Sequence, residues 1–329
     1  MYFPPITNGL DYLVSVVDHL EAGTEQVSAR DLKYAVLHLA AGAEVLLKAR
    51  LQIEHWSLVF KEPGQAKRAR LEDGSLKSCS PDETVQRLKD IAQVVISDKD
   101  SSALSKLANH RNALQHYGLI GQAANARAVE SQAAEVLDFL IGFLDHELLP
   151  ALSESELAGT WVDMEHIRFG LTEIQGFVKK RMQRLRSELA PYLDQTVCCP
   201  YCRQWAFRPD PGAPEFRTFT CLFCGSSHPP YDAAFEYSLL VLRRDPEGDV
   251  YGQMATETCP DCEEDSLVAG ARLATAPDDP VNFCFRCAAA VPGLHQCDSC
   301  FRPFRPWETE QRICGRCLGQ SAELKWSES

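Results

Sequence analysis

The chain has 329 residues, 45% of them hydrophobic, and a formal net charge of −13. That length supports two or three domains with a sizeable core, and no apolar run of about 18 residues could span a bilayer. A protein that binds nucleic acid mainly through phosphates usually carries a net basic domain, and neither the first 195 residues nor the remainder is net basic; any nucleic-acid contact must therefore be local. The opening MYFPPITNGLDYLV has neither the basic segment nor the long apolar run of a secretory leader. We therefore expect a cytoplasmic protein with no membrane partner.

Residues 8 to 190 read as helices. Apolar residues recur at three and four in Leu13, Val14, Val17 and Leu20, in Leu32, Ala35, Val36 and Leu39, and in Val136, Leu137, Leu140, Leu144 and Leu148. Ser80-Pro81-Asp82-Glu83 has capping-box spacing with Pro at the first helical position, which predicts a helix from there to about Ser97. A second helix is expected from after Ser101 or Ser102 to near Gly118, a residue suited to a helix C-terminus. The polar stretch 61 to 79, with Lys61, Lys67, Arg68, Arg70 and Lys77, reads as a solvated loop, with RNA contact as its alternative.

Beyond Pro150 the pattern continues helical to Leu189, interrupted near Gly170 and Gly176. Its run Lys179, Lys180, Arg181, Arg184 and Arg186 is the densest positive patch and reads as the wet face of a helix. We take residues 1–150 as a helical domain and 151–195 as a helical connector.

From residue 196 the texture turns to Pro, Gly, aromatic and Cys residues. Twelve of the fourteen cysteines form six C-x-x-C pairs: Cys199/Cys202, Cys221/Cys224, Cys259/Cys262, Cys284/Cys287, Cys297/Cys300 and Cys314/Cys317. Thiolates three residues apart reach one tetrahedral ion, so six pairs supply three four-cysteine zinc sites. Sequential pairing predicts small β-rich zinc ribbons at 196–230, 255–290 and 294–320; a cross-braced arrangement of the last four pairs is the alternative. All-thiolate sets imply closed structural sites, because catalytic zinc keeps a position for water. Cys198, Cys79, His228 and His295 are not needed to complete any set.

One helical segment carries Asn109-His110-Arg111-Asn112-Ala113-Leu114-Gln115-His116. Arg111 and His116, five positions apart, point about 140° apart on a helix. With the upstream AEVLLKARL, which fits E-x-L-L-K-x-x-L and sets Glu44 and Lys48 in register, this R-N-x-x-x-H run resembles the HEPN family over residues 8 to 150. That family is all-helical, usually dimeric, and includes many metal-independent RNases. The resemblance implies a helical bundle and an endoribonuclease acting on RNA, tRNA among the candidates. Its composite site would lie at a homodimer interface, with Arg111 and His116 catalytic, Glu44 orienting one of them and Asn112 positioning the phosphate or bonding backbone. By analogy it also implies a regulated toxin or antiviral-defence effector, with the ribbons meeting a protein trigger or inhibitor. One departure is Tyr117 directly after His116, where toxins silenced by a nucleotidyltransferase carry Tyr two residues after the His. The competing readings are a non-catalytic HEPN-like dimer serving as a protein- or nucleic-acid-binding adaptor through its ribbons, and an accessory factor whose ribbons are the functional part.

Overall fold

A computed structural model describes residues 3–21, 27–212, 217–245 and 255–319. The chain divides after Gln183 into two compact units, the first helical, the second built from small antiparallel sheets.

Helices α1 (Pro5–Leu20) and α2 (Ala29–Glu54) form the spine of the first unit. Two glycines set their close approach: a Cβ on Gly42 would lie 3.1 Å from Cβ of Tyr12, and one on Gly9 would lie 2.5 Å from Leu46. Around α2 pack α4 (Pro81–Asp90), α5 (Asp98–His116) and α6 (Ala126–Phe143). Most apolar positions of the sequence pattern point inward: Leu13, Val17, Leu39, Val136, Leu137 and Leu140 are fully buried. Each such leucine contributes roughly 1.5–3 kcal/mol.

Helix α4 begins with the expected capping box, the Ser80 hydroxyl accepting the Glu83 N–H and the Glu83 carboxylate accepting the Ser80 N–H. It stops at Asp90, however, short of Ser97, and the chain turns through Gln93 at φ 55°. Helix α5 then starts earlier than expected, because Ser97 is itself an N-cap: its hydroxyl accepts the Asp100 N–H at 3.1 Å. Helix α4 ends because Gln93 turns left-handed and its side-chain amide donates to the carbonyls of Lys89 and Asp90 at 3.4 and 2.9 Å, and the Ser97 cap then sets the start of α5.

The basic stretch after α2 is more structured than a solvated loop. It holds two short 3-10 turns, Trp56–Val59 and Pro63–Gln65, and a short helix α3 (Arg68–Glu72). Arg87 of α4 ties it down by donating to the carbonyls of Leu58, Phe60 and Lys61 at 2.6, 2.5 and 2.8 Å. Lys61, Lys67, Arg68, Arg70 and Lys77 still face solvent.

The segment beyond Pro150 is more than a connector. Helix α7 (Glu154–Leu171) packs on α1, with Met164, Ile167 and Gly170 buried. Helix α8 (Gln175–Leu189) includes Arg181, expected on a wet face, which is instead 7% exposed and paired with Asp138 of α6 at 3.4 Å. A buried arginine needs such a carboxylate, since uncompensated burial of its charge is strongly unfavourable. Lys179, Arg184 and Arg186 are exposed as expected.

In the second unit β1 (Phe207–Pro209), β2 (Phe219–Cys221) and β3 (Ser227–His228) form one three-stranded sheet, and β4 (Leu267–Leu273), β5 (Ala276–Cys284) and β6 (Ala289–Ala290) another. A two-stranded ladder joins β7 (His295–Gln296) to β8 (Pro303–Phe304). The first two sheets share a core. Phe219 packs against Phe285 at 4.8 Å and meets Phe283 edge-on at 6.3 Å, and Val197 bridges both Phe207 and Leu273. Helix α9 (Pro230–Glu236) runs into a π-helical turn that buries Tyr237, whose hydroxyl accepts the Arg272 N–H. Arg305 reaches Asp261 at 2.8 Å from the third ribbon. No helix among the described residues is long and apolar enough to cross a membrane.

Candidate functional site

The paired cysteines assemble in sequential order. Cys199, Cys202, Cys221 and Cys224 form one group, Cys259, Cys262, Cys284 and Cys287 the second, and Cys297, Cys300, Cys314 and Cys317 the third, with the sulfurs of each within 4.8 Å of one another. This excludes the cross-braced arrangement.

Local backbone chemistry builds each group. In all three, the residue after the second cysteine of the leading pair takes a left-handed conformation: Arg203 at φ 62°, Glu263 at 62° and Phe301 at 60°. Each donates its N–H to the carbonyl of the first cysteine, at 3.1, 2.8 and 2.8 Å. That turn folds the pair into a knuckle with both sulfurs on one side. In the trailing pair of the first group Gly225 does the same, at φ 77°, with its N–H on the Cys221 carbonyl.

The groups fit zinc. Sulfur separations include 3.7 Å for Cys199 and Cys224, 3.6 Å for Cys202 and Cys221, 3.7 Å for Cys262 and Cys284, and 3.8 Å for Cys300 and Cys314. Four sulfurs about 2.3 Å from a tetrahedral ion stand about 3.8 Å apart. The cysteines form no disulfide among the described residues. Four thiolates at these separations repel one another, and a cation among them is what holds them ionised and together. Polar groups already face the sulfurs: Cys287 N–H lies 3.3 Å from Cys284 Sγ, Cys314 N–H 3.3 Å from Cys297 Sγ, and the Ser266 hydroxyl 3.4 Å from Cys284 Sγ. These are three closed structural zinc sites. Cys198 stands outside them, its thiol pushed up to about 11 by burial and lying 3.3 Å from the Arg203 carbonyl.

The residues singled out in the helical unit come together in part. Glu44 of α2 lies 3.2 Å from Arg111 of α5 through Oε2, and its Oε1 accepts from Lys48 Nζ at 2.5 Å. Lys48 continues to Ser78 at 2.9 Å, and Arg111 donates to Gln115 one turn on at 3.4 Å. One carboxylate thus bridges two cations on two helices, with the Arg111 side chain 27% exposed. Against Glu44 and Arg111, between α2, α4 and α5, lies a cavity of about 30 Å³, room for little more than a water. On the side of Glu44 that faces Lys48 and Ser78 lies a larger open cavity of about 380 Å³.

His116 closes α5, with its side chain in solvent, and Asn112 is exposed one turn earlier. Beside His116, Tyr117 and Ile120 are 78% and 81% exposed. The neighbouring His110 is half-buried, and burial lowers its pKa below the ordinary histidine value. Sequence reasoning missed Gln115 and Ser78 as members of the network; Gln115 was findable, since i and i+4 share a helix face, but Ser78 arrives only through the fold.

The chain matches no protein-family model, no curated protein and no solved structure.

Proposed function

We propose that the helical unit is a metal-independent endoribonuclease of the HEPN type, working as a homodimer, with the zinc ribbons as its recognition or control module. The observation that supports this reading is the Glu44–Arg111 pair, which joins the two motif-bearing helices and leaves the Arg111 side chain partly exposed. An arginine so held offers a permanent positive charge and its remaining N–H donors to a phosphate.

In the paired state, His116 of one copy takes the proton of a ribose 2′-OH, and the 2′-oxygen attacks the adjacent phosphorus. The bond to the 5′-oxygen breaks, and that oxygen receives a proton from His116 of the other copy. Arg111 binds the phosphate as negative charge builds on it. The products carry a 2′,3′-cyclic phosphate and a 5′-OH. The exposed Tyr117 and Ile120 beside His116 support pairing at this end of α5, since apolar groups of that size gain by leaving water. The exposed cations of the 61–77 stretch supply local attraction for RNA despite the acidic total. A role as a regulated toxin or antiviral-defence effector extends the same reading by analogy.

A second reading, a non-catalytic HEPN-like adaptor, is favoured by the aromatic surface of the ribbons: Tyr201 stacks on His228 at 5.3 Å while 45% exposed, and Trp307 is 66% exposed. Total tRNA incubated with the purified protein in EDTA, beside a His116→Ala variant, separates the two. Cleavage to cyclic-phosphate ends, lost in the variant, supports the nuclease. Cleavage that needs added divalent metal, or cuts DNA equally, overturns it, and no difference between the proteins favours the adaptor.

A further inference from the structure

Glu44 borders two cavities of the helical unit: the small one beside Arg111, and the open one of about 380 Å³ between α1, α2 and the segment 59–78. The walls of the larger cavity are apolar, with Tyr12 from α1, Val45 from α2, and Val59, Leu71 and Leu76 from that segment. Leu71 and Leu76 are only half-buried and are flanked in sequence by the exposed Arg70 and Lys77.

Polar groups enter this apolar setting at a few points. The Lys48 side chain is 12% exposed, and two of its three N–H donors go to Glu44 at 2.5 Å and Ser78 at 2.9 Å, which leaves the third. Asn8 of α1 and Gln52 of α2 also line the cavity, and neither side-chain amide has a hydrogen-bond partner among the described residues. Each amide offers donors and an acceptor side by side. A largely apolar cavity of this size with a few converging polar groups is the usual form of a small-ligand site.

We propose that this cavity takes an unpaired base of the RNA, the one joined through its ribose to the phosphate at Arg111. The proposal rests on the reading of Arg111 as a phosphate ligand. Glu44 gives one oxygen to Lys48 and the other to Arg111 at 3.2 Å, so its charge is offset twice and the two cations stand one carboxylate apart. A phosphate at Arg111 therefore sits beside the cavity, at a separation that one ribose spans. A base is apolar on its faces and carries donors and acceptors along its edge. The aliphatic walls and the Tyr12 ring suit the faces, while the Asn8 and Gln52 amides and the remaining Lys48 N–H suit the edge; amides pair with adenine, and lysine with the acceptors of guanine. Proteins read RNA sequence mainly at unpaired bases that can be splayed into such a site, so cleavage falls in single-stranded loops and not in duplex.

The test is binding, measured without turnover. The full-length, zinc-loaded protein is titrated with the four nucleoside 3′-monophosphates, the four 5′-monophosphates, and ribose 5-phosphate, which lacks a base. At least one nucleotide should bind about ten-fold more tightly than ribose 5-phosphate, the discrimination one good edge contact supplies. In a Val45→Trp variant, whose indole fills the cavity, that preference should disappear. Should this variant fail to fold, Asn8→Ala combined with Gln52→Ala takes its place, and the preference should fall. Nucleotides that bind no better than ribose 5-phosphate, or not at all, overturn the proposal, and so does a preference that survives substitution. The nuclease reading fails on a different result, the absence of tRNA cleavage. A protein that cleaves tRNA without any nucleotide preference keeps that reading and loses the pocket, whereas one that prefers a nucleotide through Val45 and cleaves nothing keeps the pocket and loses the nuclease.

Discussion

Arg111 shows how a single side chain is made useful by a distant one. Glu44 stands 67 residues away in sequence, yet the 3.2 Å contact fixes the direction of the guanidinium, and Lys48 and Gln115 hold the flanks through i, i+4 spacing. If the nuclease reading holds, Arg111→Ala and His116→Ala each lower cleavage by roughly 10²–10⁴-fold, with helical circular dichroism unaltered because both side chains lie outside the core. Glu44→Gln keeps shape and removes charge, so a smaller loss is expected, read as a fall in kcat at fixed fold. A purely structural residue is Gly170, where a Cβ would run into Cγ1 of Val17, a stiff and fully buried side chain. Gly170→Ala should destabilise the helical unit by about 1–3 kcal/mol, and adding Val17→Ala should restore part of it in thermal melts. The helical spacing of Glu44 with Lys48 and Arg111 with Gln115 was legible in the sequence; the closure of the two pairs onto one carboxylate was not, because nothing local to either helix encodes their distance.

At the scale of elements, capping decided boundaries that periodicity left loose. Ser80 and Ser97 both begin helices, and the Gln93 turn between them ends the first one well short of the expected Ser97. Ser80→Ala should cost about 1 kcal/mol. The same box sets a pH dependence. The Ser80 backbone N–H, then its hydroxyl, hold the Glu83 carboxyl below its ordinary value. A carboxyl lowered in the folded state contributes stability that is complete above the unfolded value of 4.5 and is lost as pH falls through the lower folded value. A Glu83→Gln variant should show a correspondingly flatter acid limb in stability plotted against pH. The run Lys179 to Arg186 shows the converse. Its charges predicted a wet face, but Arg181 falls on the inner side of α8 and is kept there by Asp138, a partner that charge counting cannot see.

For the whole molecule, the shared aromatic core of the first two ribbons makes their zinc sites interdependent. Phe219, Phe283 and Phe285 contact one another across the two sheets, so Cys199→Ser should loosen zinc at the second group as well as abolish it at the first. Cys297→Ser should release only the third ion, as metal analysis and exchange kinetics would show. Chelation of all three ions should unfold the ribbon unit while the helical circular dichroism persists, since metal binding supplies folding energy to such modules and the helical unit has its own core. Zinc affinity should fall as pH drops, because thiols raised by burial, such as Cys284 at about 11, must shed protons to bind. The six C-x-x-C pairs, the helix-forming periodicity and the Ser80 cap were determined by the sequence alone, because each depends on spacings of a few residues and on intrinsic conformational preference. Which pair faces which, the fusion of two ribbons through one core, the burial of Arg181 and the Glu44–Arg111 contact were decided only by tertiary structure. These are encounters between segments tens of residues apart, and packing, not local preference, sets the distance between them.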